Sequence, residues 1–197
     1  MIGIKEDINL IIVKDPSALN RVDVFLNYPA MHAIWTYRYT HWMWNHKFKT
    51  FAKFISTIAR AFTGVEIHPG AKIGRRLFID HGAGTVIGAK ATIGDDCLIY
   101  HGVTIGGARP FDYDINLMKE ERVKYGKHAS IGDRVIIGAG AKILGDIIIE
   151  DDAVIGANSV VLKNVPKGAT AIGSPAKLKN TCVSIKFQAE HAIASAL

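Results

Sequence analysis

The histidines and carboxylates of this chain allow two kinds of chemistry. Asp80 and His81 stand side by side, Glu66 precedes them, and His101 and His128 follow. A histidine with one ring nitrogen held by a carboxylate has a fixed tautomer and a more basic second nitrogen, which is what a general base requires. Gathered at one place, His81, His101 and His128 could instead be the ligands of a catalytic zinc. Which of the two applies depends on the scaffold that brings these side chains together.

An aliphatic residue that returns every six positions supplies that scaffold. Ile67, Ile73 and Ile79 form one run, Ile87, Ile93, Ile99 and Ile105 a second, and Ile131, Ile137, Ile143, Ile149, Ile155 and Val161 a third; seven of the isoleucines directly precede glycine. A helix stripe would return every three or four residues, so this period describes short strands separated by turns. Three hexads close a triangular coil of about 18 residues, and stacked coils bury the aliphatic column, as in a parallel β-helix. Two interruptions break the period. The step from Ile79 to Ile87 is eight residues and pushes out a bulge containing Asp80 and His81, while residues 106–130 must leave the coil as a loop. Departures from a rigid repeat are where function is usually placed.

The register also predicts neighbours. Ile79 and Ile99 share a face on successive coils, so His81 and His101 are expected one above the other, with coils ~4.8 Å apart. Ile67 is likewise three steps before Ile87, which puts Glu66 beneath Val86. Whether its carboxylate reaches His81 depends on how the bulge folds. His128, on the returning limb of the loop, is directed toward the same region, from this subunit or a neighbour.

Ahead of the repeat, Pro16 to Phe62 has helical spacing, with Met31, Ile34 and Trp35, then Phe51, Phe54, Ile55, Ile58 and Ala59 as its apolar positions. Asp15-Pro16 reads as an N-cap with proline at the first helical position, Tyr28-Pro29 as a second start, and Gly64 as a stop. Asn45 to Lys49 divides the second segment. The expected organisation is a helical domain over 1–64, a mainly β domain over 65–178 with the excursion 106–130, and a tail over 179–197. At 197 residues, 49% hydrophobic and 21% charged, the chain has the composition of a soluble globular protein. Its net charge of +6 is concentrated between Arg38 and Arg60, with Lys47, Lys49 and Lys53 and no acidic residue. That suits a polyanion or a small phosphorylated ligand, but no groove-reading motif accompanies it, so nucleic acid is not an expected partner. No run approaches the ~20 apolar residues of a membrane span. The opening residues lack the pattern of a signal peptide, and Cys97 and Cys182 form no disulfide spacing, so a reducing cytoplasmic setting is expected.

The succession "KDPSALNRV", "MHAIWTYRYTHWMW", "VEIHPGAKIGRRLFIDHGAGTVIGAKATIGDD", "YHGVTIGG", "IGAGAKILGDI" and "AIGSPAK" resembles bacterial serine O-acetyltransferases, hexapeptide-repeat acyltransferases of cysteine biosynthesis. The resemblance runs from about Glu6 to Lys177. It implies a left-handed β-helix with an N-terminal helical domain, a homotrimer with sites between subunits, hexamers in members with a longer helical half, and acetyl-CoA as donor to L-serine. No metal is expected. It implies that His81 is the catalytic base and Glu66 the carboxylate that orients it, and that Asp15 and Asp80 bind the amino-acid acceptor. His128 would hold the substrate carboxylate from the neighbouring subunit, and backbone groups at Gly107, Ala139 and Ala157 would contact coenzyme A. The chain departs from the family in the loop. Ala108-Arg109-Pro110 and Gly126-Lys127-His128-Ala129 stand where the family has Thr-Gly-Lys and Arg-His-Pro. Lys127 keeps the charge of the arginine but not its planar two-pronged grip, and Arg109 is a second candidate for that role. Homoserine or a sugar is the alternative acceptor, and a zinc-dependent lyase on the same scaffold the alternative class. The tail ends in Leu197, where members that dock into O-acetylserine sulfhydrylase carry isoleucine.

Overall fold

Strand pairing in this computed structural model follows the six-residue period, one coil being laid on the next. The structure describes residues 3–107 and 127–179; Arg109, most of the loop 106–130, Cys182 and the tail to Leu197 lie outside the described residues. The first face stacks β1 (Glu66–Ile67), β4 (Val86–Ile87), β7 (Thr104–Gly106), β10 (Lys142–Leu144) and β13 (Val160–Val161). The second stacks β2 (Lys72–Ile73), β5 (Thr92–Ile93), β8 (Ser130–Ile131) and β11 (Ile148–Ile149). The third stacks β3 (Phe78–Asp80), β6 (Leu98–Tyr100), β9 (Ile136–Ile137), β12 (Val154–Ile155) and β14 (Thr170–Ile172), and ends in β15 (Lys177–Lys179). All pairings are parallel except β14 with β15. This is the parallel β-helix that the period predicts.

The aliphatic column points inward. Ile79, Ile87, Ile99, Ile105, Ile137, Ile143, Ile149 and Ile155 are fully enclosed, and Ile73, in the lowest coil, is partly buried. A second inward column lies two residues before each of these, at the corners, and holds smaller side chains such as Ala71, Ala91, Cys97, Ala141 and Ala153. Cys97 is a small core residue, and burial pushes its thiol up to about 11.

Helices close the bottom of the stack. The helical region contains α1 (Ile4–Lys14), α2 (Arg21–Asn27), α3 (Pro29–Asn45) and α4 (Lys49–Thr63). Pro29 opens α3, the break at residues 46–48 separates it from α4, and Gly64 ends α4 in the left-handed conformation (φ 70°), as the sequence predicts. Residues 4–14 form a helix ahead of the segment with helical spacing, with Ile8 and Ile11 against the core. One expectation is corrected: Asp15 is the C-cap of that helix, not an N-cap. The capped start is Asn20, whose Oδ1 accepts from the backbone N–H groups of Val22 at 2.9 Å and Asp23 at 3.0 Å.

Tyr37 and Asp7 are among the polar residues that fix the helices to each other and to the coils. Tyr37 of α3 donates to the Ala71 carbonyl at 2.8 Å and accepts from the Ile73 N–H at 3.2 Å. Asp7 of α1 is completely buried and accepts from Trp35 at 3.1 Å and Arg38 at 3.0 Å. Burial raises the Asp7 carboxyl above its ordinary range despite the Arg38 charge. Arg38→Ala, by leaving a buried carboxylate without its cation, is expected to cost about 3 kcal/mol, read as a lowered urea midpoint. An unchanged midpoint would show that the pair does not hold α1 to α3.

Candidate active site

The eight-residue step is absorbed at the corner between the third and first faces. Asp80 stays in the ladder, opposite Tyr100. The Gly102 N–H donates to the Ala83 carbonyl at 2.9 Å, as Gly140 does to His101 and Asn158 to Ala139, both at 2.8 Å. Ala83, His101 and Ala139 are therefore equivalent in the backbone, and the inserted pair is His81-Gly82. The bulge predicted around Asp80 and His81 is shifted by one residue. Both inserted residues are left-handed, with φ 59° at His81 and 76° at Gly82. For histidine this conformation costs on the order of 1 kcal/mol. Gly82 is required for a steric reason as well. A Cβ there would lie 2.9 Å from both Ala30 Cβ on α3 and Val65 Cγ2. Glycine thus lets the bulge seat against α3 while His81 projects outward, its side chain 76% exposed. The rings of His81 and His101 meet nearly at right angles (77°), with centroids 6.1 Å apart, so the predicted stacking exists between side chains although the two backbones are not equivalent.

Carboxylates flank this imidazole. Asp80 Oδ1 lies 3.7 Å from His81 Nε2. Both line a cleft of about 330 Å³ with Asp15, Ser17, Tyr28 and Ala30. Asp15 accepts from Tyr28 Oη at 2.6 Å and from Ser17 at 2.8 Å (N–H) and 2.7 Å (Oγ). Burial pushes the Asp15 carboxyl up, but these hydrogen bonds and the nearby His81 outweigh it and leave it below the ordinary aspartate range. Tyr28, read from sequence only as a helix boundary, is thus a holder of Asp15. Glu66 sits beneath Val86, as the register predicts. Its carboxylate accepts from Arg60 Nη1 at 2.8 Å, in a separate small cleft with Lys53, Ser56, Thr57 and His68. No period in the sequence signals that contact.

The remaining candidates divide between the two edges of the first face. Ala139 and Ala157 stand in successive coils above His101, at the corner that carries the bulge. Gly107 and His128 meet at the opposite corner. A Cβ on Gly107 would be 3.7 Å from His128 Cε1, and one on Gly88 would collide with the same ring. Lys127 pairs with Asp146 at 2.7 Å on the surface. Within one chain, therefore, His128 is not brought to His81 and His101, and among the described residues no group of three metal-binding side chains forms. Lys142 reaches back to the bulge corner and donates to the Gly102 carbonyl at 2.5 Å and Thr104 Oγ1 at 3.2 Å.

Comparison with known proteins agrees with the repeat fold. Residues 128–163 match the family model of the bacterial transferase hexapeptide (six repeats). A serine acetyltransferase of Helicobacter pylori is 48% identical over 177 residues, 90% of this chain and 96% of its own. A crystal structure of Neisseria gonorrhoeae serine acetyltransferase in complex with serine superposes with a TM-score of 0.77 at 37% identity, over 88% of this chain and 66% of that one. The Brucella abortus serine acetyltransferase in complex with coenzyme A gives 0.78 at 36% identity, over 89% and 65%. The chain thus spans about two thirds of the length of these two solved proteins.

Removing the Tyr28 hydroxyl tests the electrostatics of the cleft. In Tyr28→Phe the Asp15 titration midpoint, followed by carbon-detected NMR, is expected to rise toward or above the ordinary ~3.9. A group depressed in the folded state stabilises the fold above its unfolded pKa and loses that contribution as pH falls through its folded value. The variant should therefore lose less stability than the native protein on acidification below about pH 4. An unmoved midpoint would mean that Tyr28 does not control Asp15.

Proposed function

This chain belongs to the serine acetyltransferases, and from that premise we propose how its own residues divide the transfer of an acetyl group from acetyl-CoA to the hydroxyl of L-serine. The observation that carries the assignment of roles is the inserted pair His81-Gly82, which lifts one imidazole out of a regular coil beside the cleft of Asp15 and Asp80. His81 is the general base. It takes the hydroxyl proton as the oxygen attacks the thioester carbonyl, because a neutral alcohol is a poor nucleophile near neutral pH. The acetyl group passes directly from sulfur to oxygen in a ternary complex. Asp15 and Asp80, both acceptors, hold the ammonium of serine. Glu66 orients His81 by exchanging its Arg60 partner for the imidazole. Lys127 and His128 of a neighbouring copy hold the serine carboxylate, with Lys127 released from Asp146.

Backbone N–H groups near Gly107 stabilise the tetrahedral oxyanion, at typically ~3 kcal/mol per donor. Coenzyme A lies along the corner of Ala139 and Ala157, where the small side chains leave room for it. The separation of His81 from Gly107 and His128 within one chain supports a homotrimer whose sites form between copies. Pairing of trimers into hexamers would use the helical region 1–64. A complex with O-acetylserine sulfhydrylase would use the tail to Leu197, outside the described residues. Among the described residues no helix is long and apolar enough to cross a membrane, and we place the enzyme in the cytoplasm.

Free coenzyme A release from acetyl-CoA, measured with L-serine beside homoserine, threonine and a sugar, should be serine-dependent without added metal. A preference for another acceptor would show that Lys127 has changed specificity. His81→Ala should lower turnover about 10²–10⁴-fold with an unchanged melting temperature. A fully active His81→Ala enzyme would refute the assignment of the base.

A further inference from the structure

The transfer leaves one group at the site without a role. His101 is exposed on the same corner as the base, and its ring meets that of His81 with centroids 6.1 Å apart. By backbone register it stands directly beneath Ala139, which is itself beneath Ala157. Along this corner the side chains above the bulge therefore run imidazole, methyl, methyl. A pantetheine arm that descends past Ala157 and Ala139 to present its thioester to His81 passes His101 last, and places its sulfur beside that ring. No carboxylate within 4.0 Å claims the His101 ring among the described residues. The next carbonyl, that of Gly102, is held by the Lys142 ammonium, so the turn that carries His101 is braced and its ring is left to face the groove.

We propose that His101 is a second functional imidazole of the site, donating a ring N–H hydrogen bond to the sulfur of the departing coenzyme A thiolate. In the step itself the serine oxygen forms the new bond to the acetyl carbon, and the C–S bond breaks with its electron pair on sulfur. The hydroxyl proton goes to His81, which returns it to solvent. The sulfur leaves as an anion, and a pre-placed donor lowers the cost of its developing charge. The two stacked imidazoles thus serve opposite ends of one displacement, His81 the entering oxygen and His101 the leaving sulfur. This assignment rests on the acetyl-transfer reading and on the donor lying along Ala139 and Ala157.

The test uses coenzyme A itself as the probe. A free thiol with a pKa of ~8.5 is only a few per cent thiolate at pH 7. The ultraviolet thiolate absorbance of coenzyme A bound to the native enzyme is expected to exceed that of free coenzyme A several-fold. In His101→Ala it should fall back to the free level, and in His101→Gln, which keeps an N–H donor, it should be retained. Turnover of His101→Ala should drop about tenfold with the KM for serine unchanged, and His101→Gln should restore most of it. Equal thiolate absorbance in native enzyme and His101→Ala overturns the proposal even if turnover falls. Native enzyme that releases no coenzyme A with serine overturns the acetyl-transfer reading instead, and the two failures are distinguishable.

Discussion

Every placement in this molecule depends on the hydrogen bonds that hold each coil to the next. Gly74 donates to Ile93 at 2.8 Å, Gly94 to Ile131 at 2.9 Å and Gly132 to Ile149 at 2.8 Å, so a face two or three residues wide admits no extra residue without breaking its ladder and turning an isoleucine outward. Insertions are therefore confined to corners, where backbone groups already turn away from the strand direction. Both departures from the period obey this rule. The pair His81-Gly82 leaves at the corner between the third and first faces, and the longer segment follows Gly107 at the corner between the first and second.

The corners themselves are built from different chemistry. Between the second and third faces, the left-handed positions are Arg76, Asp96, Arg134 and Asp152. Side chains compensate for the strain there: Arg76 grips Asp96 at 2.6 Å, Arg134 grips Asp152 at 2.6 Å, and the Asp95 and Asp133 carboxylates each accept a backbone N–H of the coil below, both at 2.8 Å. The arginines hold Asp96 and Asp152 below the ordinary carboxylate range. At the corner of the bulge the equivalent positions are Gly84, Gly102 and Gly140, with Asn158 in the coil above them. Glycine needs no such compensation, and at the levels of Gly84 and Gly102 the backbone is left bare. A surface sealed by ion pairs and one open to close approach thus occupy two edges of the same prism, and His81 and His101 stand on the open one.

The sequence made the prism legible because its core uses one residue type at one interval, and both the face and the level of Glu66, Val86 and His101 followed from counting. Four features escaped for separate physical reasons. Residues 4–14 carry Ile4, Ile8 and Ile11 at helical spacing, but the charged residues between them obscured a stripe only three members long. Asp15 before proline has the form of an N-cap, yet a carboxylate that can reach both Ser17 and Tyr28 Oη satisfies itself across a tertiary contact and leaves capping to Asn20. The position of the bulge, displaced by one residue, could not be counted, since an eight-residue step does not say which two of its members are extra. The Arg60 partner of Glu66 comes from α4, and no repeat relates a helix to the coil it leads into.

At the upper rim of the stack, β14 would present a free row of backbone donors and acceptors to any further coil. β15 meets it in the opposite direction, pairing Thr170 with Lys179 and Ile172 with Lys177, and both lysines are exposed. A reversed strand offers the next coil the wrong hydrogen-bond pattern, and its charges repel a second molecule arriving edge to edge. The solenoid is thereby a prism of fixed height rather than the seed of a fibre. That height is also a ruler: the groove along the bulge corner has a definite top, so a ligand anchored at the His81 level is measured along its length by the number of coils above it.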